Sequence, residues 1–261
     1  MNIQIFNDLH VDVSRPPPIT IGADVNVVVV AGDTAEGAGN AFVALRHIVP
    51  ERIPIVMVMG NHEYYHHCIP DELALARELA PSLNVHLLEN DSVVLRAEGS
   101  GTPVFFAGCS LWTDYQVFGA NNAAPAMRTA LKGLNDHRLI TWQKRPWKRF
   151  RPQEAALMHS ASKAFLIKTL ATPFPGPTVV VCHHGHWPSA HPNIRPIFSR
   201  PRLSRTSVLS RNISRTFLSM AMFIRRQTTA SAVPASCAIP AVIQARTPIS
   251  IRRWWWRSDR E

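Results

Sequence analysis

The 261 residues, 46% hydrophobic and 18% charged, are enough to bury a full core as one large domain or as one domain with an appendage. The longest apolar runs, around residues 25–31 and 53–59, are too short to cross a bilayer, which argues against a membrane partner. The net charge of +10 resembles a nucleic-acid signal only until it is mapped, because residues 193–261 carry +11 and residues 1–192 carry −1.

The chain opens on a strand over residues 2–6, with no basic leader and apolar stretch before it, so a cytoplasmic protein is expected. Strands follow over 25–30 and 54–59, with a helix over 39–48 between them. A helix over 71–80 leads to strands over 85–88, 92–96 and 103–107. Residues 141–152 are basic, aromatic and Pro-containing; a solvated surface loop is expected there, although the composition also suits contact with RNA or phosphate. A helix over 152–170 opens with Pro and Glu, and a β-branched strand over 178–182 closes the series. Alternating strands and helices predict an α/β layered fold. The four cysteines, Cys68, Cys109, Cys182 and Cys237, show no CxxC spacing and are expected to be reduced and structural.

Four polar clusters each follow directly on an apolar strand. Asp8-Leu9-His10 follows residues 3–6, Gly32-Asp33-Thr34 follows 27–31, Gly60-Asn61-His62-Glu63 follows 55–59, and His183-His184 follows 179–182. Taken singly, Asp8 suits a turn, Asp33 a helix N-cap and His183 a strand end. Loops at the carboxyl ends of strands in an open α/β sheet converge on one crevice, so the four clusters are expected to meet.

Metal chemistry accounts for these residue types together. Two divalent ions about 3.5–4 Å apart need an anionic bridge and a mixture of oxygen and imidazole ligands. Asp33 is the natural bridge. Asp8 and His10 alternate with Leu9, so on an extended loop their side chains leave the same side and can grip one ion. Asn61 offers a carbonyl oxygen and His183 an imidazole for the other. A hydroxide between the ions can attack phosphorus in line, while His62, beside a ligand, protonates the leaving alkoxide. Mixed Asp, Asn and His ligands suit Mn, Fe or Zn comparably.

With these residues in place, residues 1–192 resemble the calcineurin-like metallophosphoesterase family. The resemblance implies two sheets flanked by helices, a four-layer α/β/β/α sandwich, with two divalent metal ions and hydrolysis of phosphomonoesters, phosphodiesters or related anhydrides, the partner being a small phosphorylated substrate. It implies Asp8, His10, Asp33, Asn61 and His183 as ligands and His62 as catalytic acid. Two further segments, Ser-Leu-Trp-Thr-Asp-Tyr at 110–115 and Asn-Asp-His-Arg-Leu-Ile at 135–140, resemble a bacterial branch of the family.

The family closes its site with a Gly-His-x-His motif that gives each metal one more imidazole, and this chain has none. No histidine follows His191, and His186 and His191 share one short loop that is not expected to reach both open positions. The sandwich is therefore expected to be incomplete at its C-terminal part. Residues 193–261 hold 13 Arg, no Lys, no Gly and two acids, and a poorly ordered tail is expected.

The underlying codons suggest an origin for that tail. Read one nucleotide earlier, the single-codon residues Met220 and Met222 force Gly and Val, and C-ending neighbours complete His-Gly-His-Val-His across residues 219–224. The same shift turns Trp254, Trp255 and Trp256 into Val-Val. A frameshift near Pro192–Asn193 accounts for both, whereas the rival, a genuine basic extension that binds nucleic acid, does not.

Overall fold

The computed structural model describes residues 1–184 except 15, 17, 98, 100 and 101, together with the backbone of three short strands at 195–196, 221–225 and 250–253. Strands β1 (Asn2–Phe6), β2 (Val27–Ala31), β3 (Ile55–Val58) and β4 (Val85–Leu87) form a parallel sheet in sequence order, and β12 (Ser250–Arg253) joins β1 at the free edge, also parallel. The second sheet has the order β10 (Arg195–Pro196), β11 (Ala221–Arg225), β9 (Thr178–Cys182), β6 (Val104–Cys109) and β5 (Asp91–Leu95). In it β6 and β9 run parallel and the remaining pairs antiparallel.

The layers follow from the period-two alternation of the strands. Ile3 and Ile5, Val27 and Val29, and Val56 and Val58 point one way and pack on Phe106, Val179 and Val181 of the second sheet. Val28, Val30, Ile55 and Met57 point the other way, onto Phe42, Leu45 and Ala76 of helices α1 (Ala38–Ile48) and α2 (Ile69–Leu79). On the outer face of the second sheet, Ala107, Cys109, Val180 and Cys182 meet Leu166 and Leu170 of the long helix α5 (Pro152–Ala171). The result is the expected four-layer α/β/β/α sandwich. The central strands read as continuous apolar runs because both of their faces are buried. The sheets approach closely at Gly108, where a Cβ would lie 2.7 Å from Val58 Cγ1.

Glu72 ties the outer helices together. Gly37 precedes α1 and has no side chain to cap it, so Glu72 Oε1, from α2, accepts the Ala38 N–H at 2.7 Å. The other oxygen of Glu72 is 3.0 Å from His67 Nδ1.

Two regions differ from expectation. Helices α3 (Ala123–Gly133) and α4 (Asp136–Leu139) occupy a stretch for which no helix is predicted. Residues 141–152 are not a plain loop: β7 (Thr141–Lys144) and β8 (Trp147–Arg149) pair as an antiparallel hairpin. Its tip is exposed, but Phe150 is fully buried against Trp112 and Trp142, and its N–H bonds the Ile140 carbonyl. That burial pins the base of a hairpin whose composition alone reads as surface.

Residues 193–261, expected to form a poorly ordered tail, lie outside the described residues except for the backbone of β12 at the edge of the first sheet and of β10 and β11, the last two strands at one side of the second. Among the described residues no helix is long and apolar enough to cross a membrane.

Candidate metal centre

Strands β1, β2, β3 and β9 hand over to their polar loops at one end of the sandwich, as the strand-end rule requires. The first two loops are zipped together, Asp8 N–H to the Gly32 carbonyl at 3.1 Å, His10 N–H to Asp33 at 3.1 Å and Val11 N–H to Thr34 at 2.9 Å. Three site residues sit in the left-handed backbone region, Asp8 at φ 49°, His10 at φ 41° and Asp33 at φ 56°. The Asp8–His10 loop is therefore not extended, and strand alternation does not govern where the two side chains go.

Two glycines make the crowding possible. At Gly32, with φ +84°, a Cβ would lie 2.5 Å from Gly60 N and 2.7 Å from His183 Nδ1. A Cβ on Gly60 would collide with Asp33 Oδ1. Any side chain at either position would displace the carboxylate or the imidazole.

Glu63 binds these loops from below. One of its oxygens accepts the N–H groups of Gly60 at 2.7 Å and Asp33 at 3.0 Å, and the other accepts that of Thr34 at 2.7 Å. Burial and the neighbouring Asp33 push the Glu63 carboxyl up to about 7, with the N–H bonds acting against that rise.

Asp33 is the centre of the arrangement. It is fully buried, its Oδ1 accepts the His62 N–H at 3.0 Å, and its Oδ2 has no hydrogen-bond partner among the described residues. Burial raises its pKa to about 6, and the His183 imidazole opposes the rise. Asp33 belongs to two groups whose ligand-type atoms all lie within 4.8 Å of one another: Asp8, Asp33 and His183, and His10, Asp33 and His62. His10 Nε2 is 3.7 Å from Asp33 Oδ2 and 3.9 Å from Asp8 Oδ1.

His183 is held in one tautomer. Its Nδ1–H donates to the Ala31 carbonyl at 2.7 Å, which turns Nε2 toward Asn61 Oδ1 at 3.2 Å and Asp33 Oδ1 at 3.5 Å. Burial favours its neutral form, yet Asp33, Asp8, the Ala31 carbonyl and Glu63 together outweigh burial and raise its pKa above the ordinary value. A positive charge is thus favoured where two oxygens converge. His62 behaves oppositely: burial and the facing His10 ring, with centroids 4.2 Å apart, push its pKa down to about 4, while Asp12 draws it upward. Asp12, Glu36 and His62 form a third close group beside the crevice.

All six residues singled out in the sequence, Asp8, His10, Asp33, Asn61, His62 and His183, therefore converge. Unexpectedly, Asp8 groups with His183, and His62 lies within ligand reach of Asp33 together with His10. The donor set and the orphaned Asp33 Oδ2 fit divalent metal ions.

The profile of the calcineurin-like phosphoesterases matches residues 1–208. The chain belongs to that family. It is a metallophosphoesterase by fold and by family, a class of metal-dependent hydrolases acting on phosphoesters. The match runs past Pro192. Among solved structures the chain is similar to phosphopantetheinyl hydrolase from Mycobacterium tuberculosis, with a TM-score of 0.52 and 20% identity over 70% of this chain and 68% of that one, a likeness of fold. No curated protein matches.

The structure brings the segments at 110–115 and 135–140 close to the site. In the 110–115 segment, Ser110 Oγ is 2.7 Å from Glu89 Oε2, and Trp112 stacks on His184 with centroids 5.0 Å apart. Burial holds the His184 imidazole neutral, with a pKa pushed down to about 3, so it serves as wall and not as charge. In the 135–140 segment, Asp136 reaches the Asn61 amide. The roles of Glu63 and Asp136 are not legible in the sequence, although both stand inside its Gly-Asn-His-Glu and Asn-Asp-His-Arg motifs.

Proposed function

We propose that this metallophosphoesterase hydrolyses a small phosphate mono- or diester using two divalent ions, Mn, Fe or Zn, held by Asp8, His10, Asp33, Asn61 and His183. One observation carries this: Asp33 is shared by two groups of ligand-type side chains and keeps a buried oxygen without a partner. Divalent ions in such a site act as Lewis acids toward a phosphoryl oxygen and lower the pKa of water. The chain's own residues orient the phosphoryl group and supply the proton. His62, neutral in the free protein, takes a proton from solvent water as an anionic phosphoryl group approaches and passes that proton to the leaving oxygen.

Added Mn²⁺ should support hydrolysis of p-nitrophenyl phosphate or its bis-ester, and a chelator should stop it. Asp33→Ala should remove Mn²⁺ binding in calorimetry; unchanged binding in that variant would take Asp33 out of the site.

The chain as written should work poorly, because it lacks the closing Gly-His-x-His motif. A frameshift near Pro192–Asn193 would account for the lack, and the placement of β11 supports that reading. Ala221 pairs with Cys182, the residue before His183, so the His-Gly-His-Val-His triplets fall along a strand whose start adjoins the site. Restoring that frame should raise Mn²⁺-dependent turnover and tighten metal binding. Stop codons in the other frame before the His-Gly-His position would end the frameshift explanation.

The tail charge of +11 favours a second possibility, a degenerate phosphoesterase domain with a nucleic-acid-binding tail. Binding of that kind would weaken steeply as salt rises, in step with the phosphates neutralised.

A further inference from the structure

An amide ligand binds metal through oxygen, because the nitrogen lone pair is delocalised. Asn61 must therefore point Oδ1, and not Nδ2, into the crevice, although the two ends of its side chain have nearly the same shape. In the structure Oδ1 faces His183 Nε2, and Nδ2 faces away, donating to Asp136 Oδ1 at 3.0 Å and to the Tyr65 hydroxyl at 2.9 Å. Tyr65 in turn donates its O–H to the same Asp136 oxygen at 2.8 Å. The three groups close a triangle whose bonds are directional. Asp136 Oδ1 accepts twice, which obliges Tyr65 to donate to it and leaves the Tyr65 oxygen free to accept from Asn61. A flipped Asn61 would set its carbonyl oxygen against the Asp136 carboxylate, two acceptors with no hydrogen between them.

We propose that Asp136, with Tyr65 beside it, is a positioning residue that locks the Asn61 amide with its oxygen toward His183. The proposal rests on Asn61 being a ligand, as argued above. Asp136 comes from α4, 75 residues along the chain from Asn61, so the 135–140 segment contributes to the centre without offering a ligand of its own. Outer partners of this kind typically contribute about 10–100-fold to metal affinity.

The test uses the full chain, first without metal. The side-chain amide signals of Asn61, assigned by their loss in Asn61→Asp, should be protected from solvent exchange and should shift and lose protection in Asp136→Ala. Mn²⁺ calorimetry should then show affinity falling about 10–100-fold in Asp136→Ala. Asp136→Asn, which keeps a carbonyl acceptor, should recover most of the loss. Tyr65→Phe, which preserves the ring packing, should give a smaller loss of the same sign. In an Asn61→Asp background both oxygens of the ligand are equivalent, so removing Asp136 should cost no affinity. Equal losses in both backgrounds would mean that Asp136 merely supports the fold, and Asn61 signals indifferent to Asp136→Ala would overturn the proposal outright. If the unaltered chain binds no Mn²⁺, the metal assignment fails, and the metal-free amide signals alone decide whether Asp136 positions Asn61.

Discussion

On one side of Asp33, His183 and Asn61 are each fixed from behind, His183 by the Ala31 carbonyl and Asn61 by Asp136 and Tyr65. On the other side, His10 and His62 pack ring against ring, and their buried Nδ1 atoms have no hydrogen-bond partner among the described residues. The first side is preorganised, with its donor atoms already turned inward. The second is held by packing, with Asp12 and Glu36 close by and Asp12 drawing the His62 pKa upward. Holding a cation calls for fixed atoms, whereas moving a proton calls for an imidazole whose charge can change. Under the proposed function both sides contribute cation ligands, the His183 side through atoms already fixed in place, while proton transfer falls to His62 on the packed side.

The sharpest way to break this contrast is to exchange the imidazoles one at a time. In a frame-restored protein, His62→Asn should keep its metal and lose about 10²–10⁴-fold in rate on a substrate with a poor leaving group. His183→Asn should instead lose metal. Metal content measured after dialysis separates the two, and loss of metal from His62→Asn would make His62 a ligand and erase the distinction.

Glu63 offers a test of what the two sides share. Glu63→Ala would leave the N–H groups of Gly60, Asp33 and Thr34 buried without an acceptor, at about 1–3 kcal/mol each. Urea denaturation should show a loss of about 3 kcal/mol or more, and metal binding should weaken on both sides. A stable variant that loses only one side would show that the two loops are held independently.

The smallest expected effect is on pH. Asp33, raised to about 6, and His183, raised above its ordinary value, must both be deprotonated to bind metal. Mn²⁺ affinity should therefore climb as pH rises through about 6, by roughly tenfold per unit for each proton released. Calorimetry at pH 6 in two buffers of different ionisation enthalpy should register that proton release. An affinity flat across this range would mean that neither group changes protonation on binding.

Much of this was legible in the sequence because its central strands are buried on both faces and read as apolar runs, and because each is followed at once by its functional loop. Five of the seven predicted strands differ from the observed ones by a residue or more at an end, as expected where turns compete with pairing: Val25, for one, donates its N–H to the Gly22 carbonyl and stays outside β2. The grouping of ligands was not legible, since it depends on the left-handed backbone at Asp8 and His10. Nor was the part played by Asp136, whose partner is set by the packing of α4 against the β3 loop and not by any local spacing. The hairpin at 141–150 escaped notice because Phe150, which anchors it, sits in a run of basic residues.

The left-handed conformations at Asp8, His10 and Asp33 have a consequence for how this protein tolerates change. Each costs roughly 1–3 kcal/mol relative to a relaxed backbone, and glycine would relieve it. Glycine at Asp8 or His10 therefore stands to make the fold sturdier while removing a candidate ligand, whereas at Asp33 the gain is offset by the His62 N–H left without its acceptor.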